Sequence, residues 1–413
     1  MSEVAAVQRR TVNALRVSVV PGQAAVAGAI AVVTLLASDL LGSDRLAGLA
    51  GASFTLGSAL TAVPLAAHQR RRGRRPGLAL AFAAGAVGAL VAGSGGQLRW
   101  FWLFIVGMFV FGAGQAGTLQ SRYAAADLAA PHERARAIAA VVWVGTIGAG
   151  IGPVFAPLEQ RFGKWLGFDQ YVGPFLFAAA LMALSAFACT VLLRPDPLVY
   201  AGGTDPHAER LRPLRQVRRS ATVVRRSPGA ALGLAAMAGG QAAMVAVMTM
   251  TPPHMKDHGH SDLSAFVIAV HIVGMFGLAP VIGRLVDRVG TRRAIELGAL
   301  VLATGTVSSV VAGYVPALMF VGLFLLGVGW SVCLIAGATL LTASVPEASR
   351  VEVQGAGDLT LSLCGAAAAF ASGFVKQSWG FHMLANAATV IAAALLVAAW
   401  TAPLRARRLA ANP

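Results

Sequence analysis

Charge is what this chain has least of. Only 12% of its 413 residues are Asp, Glu, Lys or Arg, against 57% hydrophobic residues. A chain of this length with so little charge does not read as two or three soluble domains. Acid is scarcer than base: 17 Asp and Glu face 33 Lys and Arg, for a formal charge of +16. The three cysteines, Cys189, Cys333 and Cys364, form no CxxC pair and all fall in apolar runs. A disulfide framework is not expected, and each reads as a small buried apolar residue. The chain has no GxxxxGK[ST] loop and no soluble nucleotide domain, which disfavours ATP-powered work. It also has no catalytic triad and no paired acid/base site, so nothing asks for an enzyme.

What is present is apolar sequence in repeated lengths. Runs of about 20 residues, each able at about 1.5 Å per residue to cross a hydrocarbon core of about 30 Å, recur from residue 18 to residue 400. They lie at 18–38, 46–67, 77–94, 100–121, 136–157, 172–193, 229–250, 263–283, 294–313, 317–341, 352–375 and 381–400. The fold expected is an all-α membrane protein of twelve transmembrane helices. Residues 1–16 are polar and basic and the first apolar run is a full span, so no cleavable signal peptide is expected.

The distribution of the basic residues decides between a membrane reading and a nucleic-acid reading of the charge. With both termini cytoplasmic, only Arg45, Arg99, Arg161, Lys164, Lys256 and Lys376 fall on the far side. That is the positive-inside bias. It predicts a multi-pass protein of the inner membrane with N- and C-termini in the cytoplasm, in contact with membrane lipids and with no nucleic-acid partner.

The longest polar stretch, 194–228, carries eight arginines and several prolines. It reads as a cytoplasmic linker between a six-helix half at 1–193 and a second at 229–413. Between Pro206 and Arg226 a basic amphipathic helix on anionic lipid and a plain positive-inside loop fit equally well. A weak repeat supports the division. Arg71-Arg72-Gly73-Arg74-Arg75 matches Arg288-Val289-Gly290-Thr291-Arg292-Arg293, and Pro131-His132-Glu133-Arg134 resembles Pro346-Glu347-Ala348-Ser349-Arg350, at nearly equal offsets along the chain. Order and spacing are preserved across the halves.

Here the chain resembles the major facilitator superfamily (MFS). Gly283-Arg284-Leu285-Val286-Asp287-Arg288-Val289-Gly290-Thr291-Arg292-Arg293 follows that family's G-x-x-x-D-R-x-G-x-R loop. The first-half copy departs from it, with Ala66 at the glycine position and Arg70 where aspartate is usual. Any latch that depends on the acid is therefore expected in the second half, with Asp287 and Arg288 in coupling or gating. Asp287 is suited to accept from helix-terminal N–H groups or to pair with an arginine, and Arg70 is not.

The most unusual pattern is in the seventh and eighth spans. Met237, Gln241, Met244 and Met248 recur at i, i+4, i+7 and i+11 and share one helix face. His271 and Met275 form a second i,i+4 pair on the next span. Met248 and His271 would share an outer layer, with Met244 and Met275 deeper, if these helices are close antiparallel neighbours. Thioethers prefer Cu(I) and imidazole accepts several transition metals, so the mixture favours Cu(I) over hard cations. Methionine also fills packing gaps in any apolar span, and both readings stand. A histidine within a membrane span needs a partner and is informative in its own right. The following loop adds His254, Met255, Asp257, His258 and His260, either an outer capture site for metal or an ordinary exposed turn.

These residues narrow the resemblance to the bacterial copper importers of the CcoA/CalT type. That resemblance implies Met244, Met248, His271 and Met275 as the membrane copper site and uptake into the cytoplasm as the direction. It further implies a supply of copper for assembly of haem-copper cytochrome oxidase and a downstream copper chaperone as partner. Cu(I) is then the transported substrate, no permanent cofactor is expected, and the protein works as a monomer. Asp358, deep in the eleventh span after Glu352 and Gln354, is a candidate for proton coupling or for packing and gating. Gln23, Gln115, Gln241 and Met237 are cavity candidates, with hydrogen bonding between helices as the alternative for Gln23 and Gln115. Two other functions remain open. One is drug or metabolite efflux, with methionines lining an adaptable pocket. The other is a membrane metal sensor or assembly protein that transports nothing.

Overall fold

The computed structural model describes residues 3–42, 46, 48–209, 211–257, 263–312 and 315–411, and is helical throughout its regular structure. In chain order the helices are α1 (Glu3–Leu41), α2 (Gly48–Arg72), α3 (Arg74–Gln97), α4 (Phe101–Ala124), α5 (Arg134–Val142), α6 (Val144–Trp165), α7 (Gly173–Leu192) and α8 (Pro197–Tyr200). They continue with α9 (Pro213–Arg226), α10 (Pro228–Asp257), α11 (Ser264–Ile272), α12 (Ala279–Val289), α13 (Thr291–Ala312), α14 (Pro316–Ala343) and α15 (Glu347–Ala411). A π-helical turn, Val273–Gly277, joins α11 to α12.

Among the described residues nine helices are long and apolar enough to cross a membrane, or ten if the bent pair Phe266–Gly277 and Ala279–Val289 counts as one span. Two places separate this number from twelve. Glu347–Ala402 counts once, although Gly380, at φ 81° and ψ 171°, breaks the helix inside it. Helices α5 and α6, separated at Trp143, are not among the nine.

Two helices reach beyond the apolar runs. Helix α1 extends back to Glu3 because Val7, Thr11, Ala14, Leu15 and Ser18 continue its buried stripe through the polar N-terminal sequence. The Gln8 amide there donates to the Ala125 carbonyl at 2.7 Å. Helix α10 runs past Pro252 and Pro253 to Asp257, which puts His254 and Met255 on its last turns and not in a loop.

The chain packs as two units. One comprises Met1–Ala129 and Val144–Val217, the other Ala130–Trp143 and Arg218–Pro413. In the first unit α3 packs on α4, α2 on α4, and α1 on α6 and α7. Lipid offers no hydrophobic contrast between helices, so such packing relies on small residues that let backbones approach. At the α2–α4 crossing a Cβ on Gly112 would collide with the Phe54 carbonyl and the Ser58 amide. In the second unit α10 packs on α15 and α14, α13 on α14, and α11 with its π turn on α14. The equivalent crossing there depends on Gly327, whose added Cβ would meet the His271 carbonyl and the Met275 amide. Gly112 and Gly327 are separated along the chain by the same interval as Pro131 and Pro346. Phe54 and Ser58 stand from His271 and Met275 at the interval that separates Arg71 from Arg288. The sequence repeat is thus also a repeat of backbone packing.

Candidate functional site

The first unit satisfies its basic loop internally. Arg74, 1% exposed, donates through Nε to Asp127 at 2.8 Å and through a terminal nitrogen to Gln69 Oε1 at 2.6 Å. The Asp196 carboxylate accepts from the Arg75 amide at 2.7 Å and caps α8. Arg70 lies 3.6 Å from Asp205. Gly73 turns this loop at φ 98°, and a Cβ there would run into the Asp196 carboxylate. The acid absent from position 70 is replaced by three carboxylates, one from the turn after α4 and two from the linker.

In the second unit Asp287 lies at the N-terminus of α5. It accepts from the Ala135 and Arg136 amides, each at 3.1 Å, and from Arg136 Nε at 3.4 Å. These are unsatisfied helix-start amides at the positive end of the helix dipole. Gly283 makes the approach possible, since a Cβ would press on the Ala135 carbonyl and Ala139. The first and fifth positions of the loop motif therefore have distinct tasks: the glycine admits α5 and the aspartate caps it. Arg288 is exposed on α12.

His271 is fully buried, and its Nδ1 lies 2.7 Å from the Leu323 carbonyl. A carbonyl can only accept, so Nδ1 donates and neutral imidazole keeps its lone pair on Nε2. That atom is enclosed and has no hydrogen-bond partner among the described residues. An enclosed acceptor left without a partner costs about 1–3 kcal/mol, a penalty that a ligand able to donate or coordinate would remove. The π turn begins directly after α11, a backbone irregularity often found at functional sites.

Helix α14 collects the neighbouring groups. Trp330 Nε1 donates to Gln241 Oε1 at 2.7 Å, and Phe276 stands edge-on to Trp330 with ring centroids 5.6 Å apart. Gln241 also borders Gly365, where an added Cβ would come within 3.0 Å of its amide nitrogen. Met237 is buried against Gly337 of α14, and Met244 and Met275 are buried while Met248 is half-buried. Helix α10 packs chiefly on α14 and α15 and touches α11 over a smaller contact, while α11 packs on α14. Among the described residues no group of three or more His, Cys, Asp or Glu side chains is placed to hold a metal ion, and the three cysteines are free.

The outer candidates divide. His254 is buried, stacked on Phe381 at 4.2 Å and 12°, with His382 edge-on at 6.1 Å. Met255 is also buried, and Asp257 pairs with Lys376 at 2.6 Å. His258 and His260 lie outside the described residues. Asp358 is fully buried, and Gln354 nearby donates to Thr342 at 3.2 Å. In the first unit Gln23 and Gln115 are half-buried, and the backbone of α6 meets Gln23 at Gly148.

Sequence reasoning missed Trp330, Phe276, His382 and Glu159. The two aromatics lie in apolar runs where nothing distinguishes them from packing residues. His382 stands in another span, remote in the chain from His254. Glu159 stood just outside the span ending at 157, although a lone acid next to an apolar run was a usable signal.

Helices of membrane-crossing length in two units, each with its own repeated crossing, define a polytopic membrane protein built on an internal duplication. The family described as Major Facilitator Superfamily matches residues 19–369 and again 259–412, and the chain belongs to that family. It is 35% identical over 95% of its length, and 92% of the relative's, to the uncharacterized MFS-type transporter YdeG of Bacillus subtilis (strain 168). It is 28% identical to the riboflavin transporter RfnT of Brucella anthropi, over 91% of each chain. Among solved structures, the human organic anion transporter MFSD10 superposes with a TM-score of 0.76 at 17% identity, covering 95% of this chain and 99% of that one. The protein is a multi-pass protein of the bacterial inner membrane, carries out secondary-active transport of a small solute and is not an enzyme.

Proposed function

We propose that the solute is a small organic molecule with a flat, hydrogen-bonding part, held in the second unit by Gln241, His271, Phe276 and Trp330. The observation that carries this reading is the enclosed His271 Nε2, an acceptor that a donor group on the solute would satisfy. Trp330 and Phe276 supply aromatic faces and edges for stacking, and Gln241 keeps a side-chain amide beside them. Similarity to a protein described as a riboflavin transporter supports a flat heteroaromatic solute. In this reading Met237, Met244 and Met275 shape the apolar wall. The chain crosses the membrane twelve times in two six-helix halves, 1–193 and 229–413, joined by the linker 194–228, with both termini cytoplasmic.

Copper import is the second reading, favoured by the same Nε2 lone pair together with the buried thioethers of Met244 and Met275. It requires those sulfurs to reach the imidazole during the transport cycle, and Met248, His254 and Met255 to serve the outer approach. The two readings separate in one experiment. Radiolabelled riboflavin and copper accumulation are followed in cells lacking their own uptake systems, with intact protein, His271→Ala, Met244→Ala and Trp330→Ala at matched expression. Riboflavin uptake lost in His271→Ala and Trp330→Ala supports the organic-solute reading. Copper uptake lost in His271→Ala and Met244→Ala but kept in Trp330→Ala selects copper. Accumulation of neither solute by intact protein refutes uptake of both and turns the search to export.

A further inference from the structure

The first unit holds an acid that nothing above uses. Glu159 of α6 is 6% exposed, and its Oε2 is fully enclosed with no hydrogen-bond partner among the described residues. The side chain leans toward the start of its helix, as helical side chains do, and points at α1. There it meets Gly28, where an added Cβ would lie 3.2 Å from Oε2 and 3.7 Å from Oε1. On its other side the α6 backbone lies against Gly173 at the start of α7.

Among the described residues no charge compensates it. The elements packed on α6 are α1 and α7. On α1 the nearest ionisable residues along the helix are Arg16 and Asp39, twelve and eleven positions from Gly28, or roughly 16–18 Å at the helical rise; Asp39 is paired with Arg99 at 3.1 Å. Helix α7 carries only Cys189, at its far end. On α6 itself Arg161 and Lys164 are exposed, and the adjacent Gln160 accepts from Gln170 at 3.2 Å. An enclosed carboxylate without a partner is costly as an ion and far less so as the neutral acid.

We infer that Glu159, in the space kept open by Gly28, is a proton-binding site of this transporter. An O–H bond forms at Oε2 when the carboxylate takes a proton from hydronium, whose own O–H bond breaks to leave water, and the reverse step returns that proton to water as hydronium. No electrons are transferred and no other co-reactant is needed. Gly28 is a positioning residue, since any larger side chain there presses on the carboxyl. The inference rests on secondary transport alone and not on the identity of the solute.

The test reads the proton directly and needs no substrate. Purified full-length protein in lipid nanodiscs is titrated in pH while infrared difference spectra follow the C=O stretch of protonated carboxylic acids. Intact protein is expected to show such a band, and Glu159→Gln to lose its largest component while still eluting as a monodisperse species. Gly28→Ser places a hydroxyl against the carboxylate, which favours the ion; the component should then vanish at a pH lower by about one unit. A band of unchanged size in Glu159→Gln, or no acid band at any pH in intact protein, overturns the inference. If Glu159→Gln does not fold, the Gly28→Ser titration decides: a displaced component upholds the site and an unmoved one rejects it.

Discussion

The crossing of α2 with α4 and the crossing of the α11–π segment with α14 use the same backbone contacts and carry different chemistry. Gly112 in one and Gly327 in the other allow a partner helix to lie against them. At matching positions the first unit has Phe54 and Ser58, and the second has His271 and Met275. Phe54 packs in the core against Phe111 at 5.3 Å, whereas His271 is tied by Nδ1 and keeps an unsatisfied Nε2. Duplication supplied the scaffold twice, and in this pair of crossings only the second copy places a buried side-chain acceptor without a partner at the first of the two matching positions. The basic loops repeat the lesson. Asp287 reaches out to cap α5, while the loop with Arg70 in its place draws Asp127, Asp196 and Asp205 from elsewhere in its own unit.

The comparison breaks most forcefully at Arg74. Arg74→Ala leaves the buried Asp127 carboxylate without its guanidinium, a loss of about 3–5 kcal/mol, read as a large fall in thermal unfolding temperature in detergent. The two glycines come next. Gly112→Ala and Gly327→Ala each force a helix pair apart and should each cost about 1–3 kcal/mol. Only Gly327→Ala should also weaken solute binding, because it displaces the backbone of His271 and Met275. Equal binding changes in both variants would contradict the division of labour. The smallest effect belongs to Asp287→Asn, which keeps a hydrogen-bonding side chain but removes the charge at the start of α5. A stability loss of about 0.3–1 kcal/mol is expected, with a slower transport rate in vesicles as the check on its coupling role.

Much of the scaffold was legible because apolar length and repeat spacing are written along the chain. The offset that relates Arg71 to Arg288 in the basic loops also relates Phe54 to His271. Asp287 and His271 stood out because a carboxylate in that motif and a histidine in an apolar run each need a partner. What was illegible depends on contacts between distant residues. The stack of His254 on Phe381 buries a histidine that the sequence places in an outer loop. The carboxylates that complete the first basic loop come from as far along the chain as Asp205, with the whole of α3 to α8 in between. Trp330 is set apart from packing residues only by its hydrogen bond to Gln241, on a different helix. Glu159 falls outside the hydropathy span that ends at 157, whereas α6 continues to Trp165.

The π turn at Val273–Gly277 has one more consequence. A π turn contains one residue more than the α turn it replaces, so it is an insertion held in the backbone. Deleting a single residue there would rewind the segment and swing everything on its N-terminal side by about 100° relative to α12. His271 lies just before that turn and Asp287 beyond it on α12. The angular offset between the buried imidazole and the helix that caps α5 is thus set by one residue's worth of chain. Related chains with one residue fewer at this place are predicted to aim position 271 elsewhere and to take a different solute.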